Sequence, residues 1–247
     1  MGSDDVTVSS VSELSHRLDE RDFNHVDGIW FRGESDFSWA LKPKLDRSEI
    51  RSHEKELLNE FEIQASGILQ RAIPESWEVL CVAQHFGLPT RMLDWTTLSL
   101  IALYFATLDD AEVDPSADTD GAVYVLSPSK FNHTTIEVAH PLLFGRDALP
   151  DKDLSIAYAH GSEEPYAVSA PFTFDRIQSQ EGRFVVCPPG GRAVELYMAT
   201  GIFEKWRVPA DAKAGIRSEL KMLGMTKARV FPTLDHVAQL LVERYSV

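Results

Sequence analysis

The sequence predicts an α+β fold in which a mixed central sheet is flanked by helices. Strand-like and helix-like segments occur in clusters instead of alternating strictly along the chain. The 247 residues, of which 44% are hydrophobic, are enough to bury one full core. No internal repeat or low-complexity linker divides the chain, so we expect a single domain over residues 1–247.

Apolar residues at helical spacing predict helices over 9–21, 49–72 (one or two helices), 76–86, 99–108, 216–223 and 234–245. The helix over 76–86 is stopped by Gly87 and Pro89. The last helix is capped by Thr233 or Asp235. The chain between about residues 43 and 90 is therefore expected to be mainly helical.

Short runs of apolar and β-branched residues predict strands over 29–32, 121–126 and 184–187. The run over 121–126 is apolar on both faces, which is typical of an interior strand. The stretch 109–120 contains five aspartates and is expected to be a solvent loop.

Thirty-eight acidic residues stand against 24 basic ones, which gives a net charge of −14. Such a charge argues against broad, non-specific attraction to nucleic acid. The segment 201–247 is mildly basic, with eight basic and five acidic residues. Charges of both signs are interspersed there, which favours solvated helix faces, and a nucleic-acid groove is the open alternative.

Several classes of protein find no support in the sequence. No apolar run reaches membrane-spanning length and the first residues lack the features of a signal peptide, so a cytoplasmic protein is expected. Cys81 and Cys187 are too few for a disulfide framework and are expected to be reduced and buried. No hydrolase elbow, Walker loop, Rossmann glycine motif or close pair of metal-binding histidines occurs, so no metal is expected.

Turn-forming and ionisable residues are densest in the segment 84–97, which reads Gln-His-Phe-Gly-Leu-Pro-Thr-Arg-Met-Leu-Asp-Trp-Thr-Thr. Upstream, Arg32 lies between large apolar residues and Gly33. Fixed polar side chains gather in this way where a ligand is bound or a reaction takes place. The two segments together predict a functional site.

Ordered motifs in the chain resemble those of the FRG domain family, which is named for its Phe-Arg-Gly motif and is frequent in prokaryotic and phage-related proteins. The motifs are Phe31-Arg32-Gly33, the segments 83–96 and 102–106, Arg176-Ile177 with Gln180, Gly182 and Phe184, Leu223-Gly224, and the segment 230–235. The resemblance spans most of the chain. The company of this family implies a toxin or phage-defence effector, with an antitoxin or regulatory protein as a conceivable partner.

The order of elements also resembles the ADP-ribosyltransferase fold, which implies a core of that kind with the helices between about residues 43 and 90 as an insertion. In that fold an arginine on an early strand contacts the dinucleotide, a hydroxyl residue follows the next strand, and a late glutamate completes the site. Here these positions correspond to Arg32, to Thr96 or Thr97, and to Glu181. The resemblance implies NAD as substrate, in ADP-ribosyl transfer or glycohydrolysis, and leaves open whether the acceptor is a protein or a nucleic acid.

The site residues expected from the ADP-ribosyltransferase resemblance and from the chemistry of the residue types fall into two groups. The catalytic group contains Arg32, Thr96, Glu181 and His85. The group that contacts the NAD contains Arg32, Gly33, Arg91, Asp94, Trp95, Thr97, Tyr104 and Gln180.

The chemistry of NAD explains these residue types. Cleaving the nicotinamide bond builds positive charge on the ribose, so the Glu181 carboxylate would stabilise the transition state. A pyrophosphate favours arginine, because a planar guanidinium binds two oxygens at once, and Gly33 beside Arg32 would let the backbone approach the ligand. Trp95 or Tyr104 would stack on a ring of the ligand.

Each candidate also has a purely structural interpretation. Arg32 would form an ion pair with Asp94 or Glu34. The segment 88–94 would be a rigid turn, His85 a core histidine bonded to a carbonyl, and Glu181 part of an exposed strand entry. Four aromatic residues are expected in the core, namely Trp30, Trp39, Trp77 and Phe105.

Two other functions are open alternatives. One is a non-catalytic module that recognises a nucleotide, a nucleic acid or a partner protein. The other is a metal-independent nuclease that uses His85 with Arg32. A Glu181 side chain within reach of Arg32 and Thr96 would favour catalysis, whereas a fully paired Arg32 and a solvent-facing Glu181 would favour the recognition module.

Overall fold

The structure is a computed structural model that describes residues 6–20, 28–70, 72–73, 75–108, 119–147, 164–170, 180–188, 193–200 and 202–246. Within these ranges a mixed seven-stranded sheet is combined with helices, which confirms the α+β prediction. No helix of the described part is long and apolar enough to cross a bilayer.

The strands are β1 (Trp30–Glu34), β2 (Met92–Thr96), β3 (Gly121–Leu126), β4 (Leu142–Leu143), β5 (Tyr166–Ser169), β6 (Gly182–Val186) and β7 (Phe203–Val208). The described α-helices are α1 (Val11–Asp19), α2 (Glu54–Leu69), α3 (Ser76–His85), α4 (Ser99–Ala106), α5 (Pro128–Ile136), α6 (Lys213–Met222), α7 (Lys227–Val230) and α8 (Leu234–Tyr245). Short 3-10 helices cover Leu45–Arg47, Glu49–His53, Val194–Thr200 and Ala210–Ala212.

The order of strands in the sheet is β4-β5-β6-β2-β1-β3-β7. All neighbouring pairs are antiparallel except β4 and β5, which are parallel. The strands β6, β2 and β1 are therefore side by side, although long stretches of chain separate them. This arrangement brings the two motif-rich segments of the sequence together.

The strand β2 corrects the prediction that the segment 88–94 is a rigid turn. Met92 to Thr96 pair with β6 on one side, and Thr96 pairs with Phe31 of β1 on the other. Asp94 is the exposed member of this strand, and its four neighbours in the strand are buried. Burial on both faces explains why the strand lacks the alternating pattern by which a strand is usually recognised.

Helix α4 packs directly against β1 at a glycine. A Cβ atom on Gly33 would lie 1.8 Å from the carbonyl oxygen of Ala102 in α4, so no larger residue fits without moving the helix. A Cβ atom on Gly121, at the start of β3, would likewise lie 2.1 Å from the carbonyl oxygen of Ala106. These close contacts fix the position of α4 over β1 and β3.

Most predicted elements occur within a few residues of their expected bounds. The helices α1, α4, α6 and α8 and the interior strand β3 are confirmed, and Thr233 caps α8 by accepting a hydrogen bond from the amide of His236. The sequence predicted none of the elements β2, β4, β5, β7, α5 and α7. Residues 109–118 of the expected acidic loop and the motif at 176–177 lie outside the described residues.

Candidate functional site

Arg32 bridges the two central strands. Its Nε and Nη2 atoms donate to the same carboxylate oxygen of Glu34, at 3.1 and 2.7 Å, and its Nη1 atom donates to the backbone carbonyl of Asp94 at 2.7 Å. Burial alone would lower the pKa of Arg32, but the carboxylates of Glu34 and Asp94 outweigh it, so the pKa is raised. Arg32 is therefore a permanent cation, and the predicted ion pair with Glu34 is present.

A cavity of about 220 Å³ opens beside Arg32 at the carboxyl end of β1. We call it the Arg32 cleft. Its charged lining consists of the cations Arg32, Lys42, Lys44 and Arg47 and the carboxylates Glu34 and Asp94. Lys42 and Lys44 are exposed, whereas Glu34 is buried and already bonded to Arg32. The accessible charge of the cleft is therefore mainly positive in a protein that is acidic as a whole.

Trp39 and Arg47 form one rim of the Arg32 cleft. Arg47 donates to the carbonyls of Lys42 and Ala40, at 3.0 and 3.1 Å, and its guanidinium lies 5.8 Å from the centre of the Trp39 ring. Trp39 was expected in the core, but it is 37% exposed. The rim thus presents a flat aromatic surface beside cations, which is a combination suited to a nucleotide.

Lys42 and Lys44 are not among the site residues predicted from the sequence, although a signal for them exists. Leu41, Pro43 and Leu45 are buried, and the two lysines alternate with them. This alternation of buried and exposed positions marks both lysines as outward-facing, although the segment is not a strand, because Lys44 has a helical backbone and Leu45 begins a 3-10 helix. The alternation could have identified the two lysines as exposed cations shortly after β1.

Gln84 and Asp94 form a wall of the Arg32 cleft. The Gln84 amide donates to the Asp94 carboxylate at 2.8 Å, and the Thr90 hydroxyl donates to the Gln84 carbonyl at 2.5 Å. Behind this wall lies a second cavity of about 40 Å³, which Gln84 and Asp94 share with the first. His85 and Gln180 line this smaller cavity and not the Arg32 cleft.

His85 ends helix α3 and is half-buried, with its ring edge-on to Phe86 at 4.8 Å. Cys81, one turn earlier on α3, lines the same small cavity. Burial, together with the nearby Asp94 and Glu78 carboxylates, raises the pKa of the Cys81 thiol. A raised pKa disfavours the reactive thiolate, so Cys81 is not a candidate nucleophile.

Thr96, Thr97 and Glu181 lie at the other end of β2. The Thr96 hydroxyl donates to the backbone carbonyl of Gln180 and accepts a hydrogen bond from the amide of Leu98 at 3.0 Å. The Thr97 hydroxyl donates to the Glu181 carboxylate. Glu181 has a left-handed backbone (φ 43°), which turns the chain into β6.

Three further candidates lie away from the Arg32 cleft. Arg91 is buried in an ion pair with Glu54, with Nη2 to Oε2 at 2.8 Å. Trp95 is 2% exposed and packs edge-on against Tyr124 in the core, at 6.5 Å between ring centres. Tyr104 lines a separate cavity between α4, α6 and α8.

The predicted residues are thus divided into groups and do not share one cleft. Arg32, Gly33 and Asp94 line the Arg32 cleft, whereas His85 and Gln180 lie behind its wall. Thr97 and Glu181 pair at the far end of β2. Arg32 and Thr96 are separated because the hydrogen bonds to Glu34 direct the Arg32 side chain toward the carboxyl end of β1, away from the end of β2 that carries Thr96.

Comparison with known proteins adds one finding. Residues 27–114 match the model of the FRG domain family. The search of curated proteins and the search of solved structures each returned no match. The matched segment includes β1, β2, α4 and all residues named above as lining the Arg32 cleft, whereas Glu181 and the later motifs lie beyond it. This chain therefore carries an FRG domain over residues 27–114.

Proposed function

We propose that the Arg32 cleft binds a phosphate-bearing nucleotide and that NAD is this ligand. The observation that carries the proposal is the concentration of four cations and an exposed indole around one open cavity of an acidic protein. Phosphate oxygens would accept hydrogen bonds from Lys42 and Lys44, which are exposed and close to the fixed charge of Arg32. A base would stack on Trp39.

The space beside the cleft suits a ligand of dinucleotide length. A second hollow of about 210 Å³ shares Lys42 with the Arg32 cleft, so the two openings are adjacent. Arg51 lies on its lining and pairs with Asp46 at 3.0 Å. A mononucleotide would occupy one opening, whereas a dinucleotide would extend beyond it.

The reaction that we propose is ADP-ribosyl transfer from NAD, or its hydrolysis. The sheet supports this proposal. Arg32 is in β1, Thr97 follows β2 and Glu181 precedes β6, and these three strands are neighbours. The bond between ribose and nicotinamide breaks, nicotinamide leaves with the bonding electrons, and water or an acceptor group bonds to the ribosyl carbon and gives up a proton. Glu181 lies at the Thr96 end of β2, opposite to the end that adjoins the second hollow, so the nicotinamide ribose must extend from the Arg32 cleft toward Thr96. There the Glu181 carboxylate, oriented by the Thr97 hydroxyl, would stabilise the positive charge that develops on the ribose.

Such a reaction fits the role of a toxin or phage-defence effector. Loss of NAD, or modification of a protein or nucleic acid, would arrest a cell, and an antitoxin or regulatory protein would then be needed to restrain the enzyme. This role extends the NAD proposal and depends on it.

A recognition module without catalysis is the second candidate. It is favoured by the contacts of Arg32 and Glu181, since Arg32 is bonded to Glu34 and to the Asp94 carbonyl, and Glu181 contacts Thr97 instead of Arg32. The nuclease alternative draws less support, because His85 lies behind the wall of the Arg32 cleft.

The binding proposal is tested by calorimetric titration of the purified protein with NAD and with nicotinamide riboside. The riboside keeps the base and the sugar of one half of NAD but has no phosphate. We expect NAD to bind and the riboside to bind at least about tenfold more weakly, since the cleft recognises phosphate. Equal affinity for the two, or no binding of NAD, would contradict the proposal.

Catalysis is tested separately, by following nicotinamide release and transfer of label from labelled NAD in cell lysate. The Glu181→Gln variant removes the proposed carboxylate. Glu137→Gln is a matched control, because Glu137 also has a left-handed backbone (φ 59°) but lies at the end of α5. Release that only Glu181→Gln abolishes supports the enzyme, whereas binding without release supports the recognition module.

A further inference from the structure

The loop that forms the rim of the Arg32 cleft is held by cations from the last third of the chain. This loop, residues 35–47, follows β1 and carries Trp39, Lys42 and Lys44. The ammonium group of Lys205 donates to the carbonyls of Phe37 and Trp39, at 2.5 and 3.4 Å. The ammonium group of Lys213, a buried residue of α6, donates to the carbonyl of Ser35 at 2.6 Å.

The Phe37 ring reinforces this attachment. Lys205 lies 4.3 Å and Arg207 3.9 Å from the centre of the ring, so two cations contact one aromatic side chain. Arg207 also pairs with Asp120 at 2.7 Å, and the backbone carbonyl of Asp120 accepts a hydrogen bond from the amide of Phe37 at 2.6 Å. Cation–π contacts of this kind add to hydrogen bonds in holding a loop on a sheet.

The sheet register connects Lys205 with Arg32. Arg32 of β1 pairs with Tyr124 of β3, and Tyr124 pairs in turn with Lys205 of β7. Residues directly opposite on adjacent strands point to the same face, so these three side chains form one row across the sheet. Lys205 is thus about 10 Å from Arg32, two strand spacings away, and it is not one of the residues that line the cleft.

We propose that Lys205 is a positioning residue for the Arg32 cleft, which holds the loop 35–47 in place and thereby sets the affinity for a phosphate-bearing ligand. The part of this inference that concerns ligand affinity rests on the proposed function. Lys205 lies outside the segment 27–114 that matches the FRG family, so a residue beyond that segment is given a role in the Arg32 cleft. Burial lowers the pKa of Lys205, which is consistent with an ammonium group whose water has been replaced by carbonyls and rings.

The test compares Lys205→Met, which keeps the length of the side chain and removes the charge, with Lys205→Arg, which keeps the charge. Lys130→Met is the matched control, because Lys130 is an exposed residue of α5 and lines none of the cavities described above. Two quantities are measured for each protein: hydrogen exchange of the amides in residues 35–47, and the affinity for NAD by calorimetry.

We expect Lys205→Met to speed exchange in the loop and to weaken NAD binding by about tenfold or more, the effect of losing a charge-assisted hydrogen bond. Lys205→Arg should retain most of the exchange protection of the loop and most of the affinity for NAD, and Lys130→Met should change neither quantity. Unchanged exchange in Lys205→Met would overturn the inference, and so would faster exchange with unchanged affinity. If the wild-type protein binds no NAD, the proposed function and the statement about affinity both fail, and the exchange data alone decide whether Lys205 positions the loop.

Discussion

Glu54 and Arg91 form a buried ion pair that joins helix α2 to the start of β2. Glu54 Oε2 lies 2.8 Å from Arg91 Nη2, and the side chains are 1% and 2% exposed. The carboxylate also accepts from the Arg91 backbone amide at 3.2 Å. Two charges that are withdrawn from water in this way depend on each other, because either one alone would be buried without its counter-charge.

Glu54→Gln is therefore expected to lower the free energy of unfolding by about 3–5 kcal/mol. Urea denaturation measures this change. Arg51→Met is the matched control, since Arg51 pairs with Asp46 on the surface, with side chains 46% and 26% exposed, and should cost at most about 1 kcal/mol. A similar small loss for both variants would contradict the structural role of Arg91.

Gly33 gives a second prediction about stability. In Gly33→Ala the new Cβ would lie 1.8 Å from the Ala102 carbonyl oxygen, so α4 must move away from β1. We expect a loss of about 3 kcal/mol or more in the free energy of unfolding, measured in urea.

Gly67→Ala is the control for the same chemical change. Gly67 is an exposed residue of α2 with no atom within 4 Å of its added Cβ. Because alanine is the better helix former, this variant should gain about 0.5–1 kcal/mol. Equal effects at the two glycines would show that β1 and α4 are not in close contact.

Part of the candidate site and most of the helices could be predicted from the sequence. Phe31-Arg32-Gly33 and the segment 84–97 were identified as the core of the site, and the ion pair of Arg32 with Glu34 was foreseen as its structural interpretation. The apolar run was sufficient to predict α4, and helical spacing with the Thr233 cap was sufficient to predict α8, because these are local signals. What failed was the prediction of β2, whose burial on both faces removes the alternating pattern.

The partners of the site residues could not be read from the sequence. Glu54 was assigned only to a helix, yet it neutralises Arg91, which was expected to contact the ligand. Lys205 reaches the loop after β1 across a separation of more than 160 residues. Such contacts depend on strand order and register, which no local pattern in one sequence specifies.

Asp120 predicts a dependence of stability on pH. The hydrogen bond from Arg207, and next the amide of Ala210, lower the pKa of Asp120 below its ordinary value of 3.8. The folded state therefore binds fewer protons than the unfolded state in this range. The stabilisation is fully present above the ordinary value and is lost as pH falls below it, through the lowered folded value.

Asp120→Asn should accordingly be less stable than the wild type near neutral pH, with a difference that shrinks as pH falls below 3.8. Urea denaturation at a series of pH values measures it. Asp211→Asn removes the same charge from an exposed position in the neighbouring 3-10 helix and controls for net charge. A constant difference between wild type and Asp120→Asn across the series would rule out this linkage.

The two cysteines give a prediction about reactivity. Cys81 and Cys187 are free and buried, as expected from the sequence, and burial raises the pKa of both thiols. In the native protein both should react with a disulfide reagent far more slowly than after unfolding in urea, because the thiolate is the reactive form. Native rates close to those of the unfolded protein would be inconsistent with the packing of α3 and of the end of β6.

Phosphate recognition by the Arg32 cleft is tested most directly by calorimetric titration of NAD into three proteins: the wild type, the double variant Lys42→Glu with Lys44→Glu, and the control Lys130→Glu, which reverses one charge on α5. Both cleft lysines are exposed, so their reversal should leave the fold intact, which the unfolding curve verifies. We expect the double variant to lose at least about a hundredfold in affinity for NAD, while the control keeps the wild-type value. Equal affinity of all three proteins for NAD would contradict the central claim that the Arg32 cleft recognises phosphate.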